Sequence, residues 1–109
     1  MKQLEKRLFD KRRYDLIATD CLRPGEIITS VISVSADDAS VTFNVPVINS
    51  TPVLYEDGSS YRTGTVIQVA IGGGTVPSNK PYSQTTVRAR FSTTVDTQVE
   101  GVFQLLIRG

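Results

Sequence analysis

The chain has no histidine and no tryptophan, and its 109 residues include a single cysteine, Cys21. Each absence excludes a class of chemistry. Without histidine there is no neutral-pH general base, no imidazole ligand for zinc or haem, and no usual activator for a serine or cysteine nucleophile. One cysteine can neither close an intrachain disulfide nor furnish a four-cysteine zinc site, so folding is expected to need no oxidising compartment. Long apolar runs are also missing. No stretch reaches the ~18 residues of a spanning helix, and the charged start MKQLEKRLFDKRRYDL lacks the apolar segment of a secretory leader. Neither export nor membrane insertion is expected, and cytosolic synthesis is the simplest reading.

The charge that is present is unevenly placed. The chain as a whole is +1, but residues 1–14 hold Lys2, Lys6, Arg7, Lys11, Arg12 and Arg13 against Glu5 and Asp10, a net of +4 that leaves the remainder at −3. A surface that tracks phosphates needs denser positive charge than this, so nucleic acid is not expected as a partner.

Periodicity divides the chain at Tyr14. Before it, Leu4, Leu8 and Phe9 recur at spacings of four and five among charges, which suggests an extended or short helical arm over 1–13. Three apolar side chains on such an arm could serve as anchors that order on docking to a neighbour. After it, runs rich in Val, Ile and Thr alternate with Gly, Pro, Asn and Asp clusters. Strands are predicted over 14–19, 27–35, 41–45, 53–55 and 63–71, with a closing hairpin within 85–107. In that hairpin Val87, Ala89 and Phe91 face one way and Arg88, Arg90 and Ser92 the other. In the second predicted run, Ile28, Ile32 and Val34 are expected to share the buried face. Pro24-Gly25 predicts a type II turn, Asp57-Gly58 a hairpin turn, and Pro46 a strand end or sheet edge. About seven strands at this spacing predict an all-β, two-sheet antiparallel β-sandwich over 14–109.

Few residues invite a chemical role. Gly72, Gly73 and Gly74 precede TVPSNKP, which cannot open a helix to cradle a phosphate, so 72–81 is expected to be an exposed loop. Asp37 with Asp38, and Glu56 with Asp57, fall in turns, where carboxylates bond to nearby amides, and no calcium-loop spacing surrounds them. Cys21 reads as a packed thiol. The four tyrosines lie near strand ends and read as core anchors whose hydroxyls reach backbone or water. Arg88 and Arg90 read as a solvated face paired with Glu100, a rigid strand surface that also suits an interface. No cofactor, metal site or catalytic residue is expected.

The order of the segments KRRYDL (Lys11 to Leu16), PGEIITSV (Pro24 to Val31), GTVIQVAI (Gly64 to Ile71) and TVRARFSTTVDTQVEGVFQLLI (Thr86 to Ile107) resembles a tailed-bacteriophage family of small immunoglobulin-like virion proteins, the fiber-tail or head-tail adaptors. The resemblance covers most of the chain. It implies an immunoglobulin-like sandwich that works as a non-enzymatic virion part, made in the host cytoplasm, repeated by particle symmetry and bridging neck, tail or fiber subunits. In that reading the contacts come from the arm, through Leu4, Arg7, Leu8, Phe9, Lys11, Arg12 and Arg13, and from the loops at 20–26 and 72–81, through Arg23 and Tyr82. The rival readings are a capsid decoration or fiber-base subunit, and a carbohydrate- or surface-binding immunoglobulin-like module.

Overall fold

The computed structural model describes residues 2–109; Met1, the first residue of the expected arm, lies outside them. Among the described residues the elements are β1 (Lys2–Arg7), β2 (Arg12–Ile17), a 3-10 turn (Thr19–Cys21), β3 (Ile28–Ala36), β4 (Val41–Phe43), β5 (Val47–Ile48), β6 (Val53–Leu54), β7 (Ser60–Tyr61), β8 (Val66–Gly73), β9 (Tyr82–Thr93) and β10 (Val99–Arg108). They form an all-β sandwich. One sheet runs β1-β10-β9-β3; the other is β2-β8-β4, with β5 also on β8. The short β6–β7 hairpin stands apart as a third, two-stranded sheet.

The interior follows period-two alternation. Val87, Ala89 and Phe91 from β9 and Phe103, Leu105 and Ile107 from β10 meet Leu16, Ile67, Val69 and Ile71 from the facing sheet in one cluster. Fully burying one such aliphatic or aromatic side chain stabilises by about 1.5–3 kcal/mol, so these four strands supply the main folding term. The polar complement is outside, where Glu100 sits between two arginines, 3.2 Å from Arg90 and 3.5 Å from Arg88. These exposed pairs contribute little each and are screened by salt.

Four expectations require correction. Residues 2–13 are not an arm separate from the sandwich. Lys2–Arg7 pairs in parallel with β10, Leu4 opposite Leu105 and Arg7 opposite Arg108, while every other pairing is antiparallel; Arg12 and Arg13 begin β2. The cause is the alternation of Leu4, Lys6 and Leu8: Leu4 and Lys6 stand opposite Leu105 and Ile107, and Leu4 and Leu8 pack against the core. Ile32 does not join Ile28 and Val34 inside. Two register shifts in β3, between Ile28 and Ser30 and between Val31 and Ser33, add residues to one strand, so Val31 takes the inward place and Ile32 is 52 % exposed. Gly72 and Gly73 extend β8 rather than opening the loop. The strand predicted over 41–45 stops at Phe43 and resumes as β5 after Pro46, on the edge of its sheet.

Turn chemistry follows the residues. Gly25 has φ +81° and Glu26 N–H donates to the Arg23 carbonyl at 3.0 Å, closing the turn around Pro24. Strand register fixes two ends of the molecule. Arg7, Arg108 and Tyr82 stand in one row across three strands, and the turn from Leu8 to Lys11 and residues 72–81 lie at that same end. Residues 18–28, 49–65 and 93–99 lie at the other.

Candidate docking surface

The near end is built around Lys6. Its place between Leu4 and Leu8 on the inward face buries it to 3 % exposure. There its ammonium donates to the carbonyls of Arg7 (2.6 Å), Leu8 (3.1 Å) and Gly73 (2.8 Å). Burial lowers the ammonium below the ordinary lysine pKa, with Asp10 pulling the other way. Three carbonyls from two elements on one cation anchor the β1–β2 turn to the end of β8. The turn is held from outside as well, by Leu8 N–H on the Arg108 carbonyl at 2.7 Å and Asp10 N–H on the Arg7 carbonyl at 3.1 Å.

On that fixed mount sits Phe9, 96 % exposed. An aromatic ring left in water forgoes the burial that drives folding, and nothing among the described residues covers it. Around it the charged residues are unequally engaged. Arg12 pairs with Asp10 at 3.3 Å, Arg108 with Glu5, and Arg13 donates to the Gln68 amide oxygen. Arg7 and Lys11 are exposed and have no ion pair among the described residues. Glu5, Lys6, Arg7, Asp10, Arg12 and Arg108 together line an open recess of about 430 Å³.

The expected contact residues therefore separate into three groups. Arg7, Phe9, Lys11, Arg12, Arg13 and Tyr82 are exposed, and all but Arg13 cluster at the near end of the strands. Leu4 and Leu8 are partly buried against the core and serve the fold. Arg23 lies at the opposite end, 3.5 Å from Asp96. Tyr82, 48 % exposed, borders a groove of about 420 Å³ with Pro77, Lys80 and Pro81.

Some organising residues carry no obvious mark in the sequence. Asn49 is buried. Its side-chain oxygen accepts from the N–H groups of Gly64, Thr65 and Val66 at 3.0–3.1 Å, and its amide donates to the carbonyls of Thr51 and Arg62. Glu26 is buried at the same end and accepts from Arg23 N–H at 2.8 Å and from the Thr93 hydroxyl. The Thr93 bond, then that of Arg23, holds its carboxyl below the ordinary range. Asp38 ties the β3–β4 turn to Thr75, accepting from Ser40 and from Thr75 N–H at 3.0 Å. The signal available for Lys6 was the Leu4-x-Lys6-x-Leu8 alternation, which is strand-like.

Cys21 packs beside the core, with burial raising its thiol pKa. No group of three His, Cys, Asp or Glu side chains among the described residues could hold a metal ion. No helix among them is long and apolar enough to cross a membrane. No family model, curated protein or solved structure matches the chain.

Proposed function

We propose that this chain is a non-enzymatic structural subunit that bridges other proteins of an assembled particle, in the setting its segment order implies: an immunoglobulin-like adaptor of a tailed-phage virion, joining neck, tail or fiber components. The observation that carries the proposal is Phe9, an uncovered aromatic side chain on a turn anchored by backbone and lysine hydrogen bonds. A rigidly mounted aromatic flanked by cations has the make-up of an interface anchor, because little conformational freedom is lost when it is buried by a partner.

The experiment is cross-linking and mass spectrometry of the chain inside its assembled particle, with Lys11 and Lys80 as reactive amines at the near end, alongside a Phe9→Ser variant. Phe9→Ser is expected to fold with unchanged stability, within about 0.5 kcal/mol, because the ring touches no core. It should fail to incorporate into particles. Normal incorporation of Phe9→Ser would refute the role given to this end. Deleting residues 1–13 is a poor substitute, since it removes β1 and the first residues of β2.

The groove beside Tyr82 favours a second reading, a carbohydrate- or surface-binding module, in which that ring stacks on a sugar between Pro77 and Lys80. Glycan-array binding lost in Tyr82→Ala would support it.

A further inference from the structure

Two exposed turns on this molecule, the β1–β2 connection between the two sheets and the β6–β7 hairpin, are complementary in charge. The β1–β2 turn presents Phe9, 96 % exposed, between Arg7 and Lys11. The β6–β7 hairpin presents Leu54, 76 % exposed, with Glu56 and Asp57, both exposed, after the intervening Tyr55. None of these four charged side chains has an ion-pair partner among the described residues, although six other pairs form on this surface. Leu54 is free to make contacts because Tyr55, the next residue, turns inward and donates its hydroxyl to Asp15 at 2.7 Å. The two turns leave opposite ends of the sandwich: β1–β2 from the end of Arg7 and Arg12, and β6–β7 on stems tied at Asn49 and Val66. No ion pair among the described residues joins the two turns within one copy.

We infer that a second copy of this chain is the occupant: the β1–β2 turn of one copy docks on the β6–β7 hairpin of the next, Phe9 against Leu54 and Arg7 with Lys11 against Glu56 with Asp57. Such a contact joins unlike surfaces, so it repeats from copy to copy and closes into a ring or continues as a filament. Three of the four sheet edges offer a poorer route. On β1 the outward carbonyls of Glu5 and Arg7 are already taken by the Tyr14 hydroxyl and the Lys6 ammonium. β3 is irregular at two register shifts, and Pro46 interrupts the β4–β5 edge. The inference deepens the adaptor reading by naming the contact between its copies, and it rests on that reading only for its biological setting.

The contact is measured on the isolated full chain. Exposed ion pairs are individually weak, so self-association is sought by sedimentation equilibrium at high protein concentration in ~20 mM and ~300 mM salt, conditions that bracket a Debye length of ~10 Å. The expected result is concentration-dependent growth in mass at low salt, weakened at least about tenfold at high salt. Arg7→Glu with Lys11→Glu, and separately Glu56→Lys with Asp57→Asn, should each remain monomeric with an unchanged circular dichroism spectrum. Mixing the two variants should restore association, because each then carries the charge the other needs. A wild-type chain that stays monomeric, association that survives either pair of substitutions, or a mixture that stays monomeric would overturn the inference. A monomeric wild type that still incorporates into particles would leave the bridging of other proteins intact, so the two failures are distinguishable.

Discussion

Tyr14 on β2 donates its hydroxyl to the carbonyl oxygen of Glu5 on β1 at 2.7 Å, so one phenol links the edge of one sheet to the edge of the other. Because the Leu8 N–H faces β10, the backbone groups of Glu5 and Arg7 face the open flank by alternation, and Tyr14 caps one of them. Tyr14→Phe keeps the ring's packing and removes only this bond. The expected loss is about 1 kcal/mol, or roughly 5 °C in Tm, at the modest end because water can replace the hydroxyl at an edge. Hydrogen exchange should accelerate in residues 3–7 and be unchanged in β9.

Gly73 and Gly58 both have positive φ, +70° and +89°, but only one is crowded. A Cβ on Gly73 would lie 2.2 Å from the Ser40 carbonyl oxygen, whereas one on Gly58 would meet nothing within 4 Å. Gly58→Ala is expected to cost about 1 kcal/mol from backbone strain alone. Gly73→Ala adds a clash with backbone that cannot rotate away and should cost about 3 kcal/mol or more. Paired urea melts would measure the difference, and equal costs would contradict the packing of the β3–β4 turn on β8.

Asn49→Ala would leave the N–H groups of Thr65 and Val66 without this acceptor in a buried corner, while Gly64 N–H keeps the Asn49 main-chain carbonyl at 3.1 Å. Unpaired buried donors cost about 1–3 kcal/mol each, partly recovered by relaxation, so a loss of about 2 kcal/mol or more is expected from the two. Asn49→Asp should not rescue it fully. Its second oxygen would face the Thr51 and Arg62 carbonyls that now receive the amide.

Acid should weaken the fold through Glu26 and Asp38. Both carboxyls are held below their ordinary values, Glu26 first by the Thr93 hydroxyl and Asp38 first by the Ser40 hydroxyl. The unfolded chain therefore binds protons at a higher pH than the folded one. The stability they contribute is complete above the ordinary carboxylate range near pH ~4 and is lost as pH falls through the lower folded values. Denaturant midpoints taken downward from pH 6 should fall in that window. Asp38→Asn should flatten part of the slope, and an unchanged slope in both Asp38→Asn and Glu26→Gln would show that other groups control it.

Much of the sandwich was legible because its signals are local. Val87-x-Ala89-x-Phe91 and Phe103-x-Leu105-x-Ile107 state their buried face by alternation alone, and Pro24-Gly25 and Asp57-Gly58 state their turns by the φ values those residues allow. The irregular strand β3 was misread at Ile32 because a bulge shifts the alternation by one residue, and that shift is set by the partner strand.

The amino-acid pattern by itself determined most of the longer strands and the oily side of β9 and β10, since both depend on neighbours a few positions away. Only the tertiary structure decided that Lys2–Arg7 closes the sheet beside β10, that Lys6 is buried on three carbonyls, and that Asn49 gathers three amides. Those outcomes depend on strand pairing across nearly the whole chain and on backbone dipoles that converge only once the two sheets meet. The same long-range closure leaves Phe9 outside, fixed and uncovered.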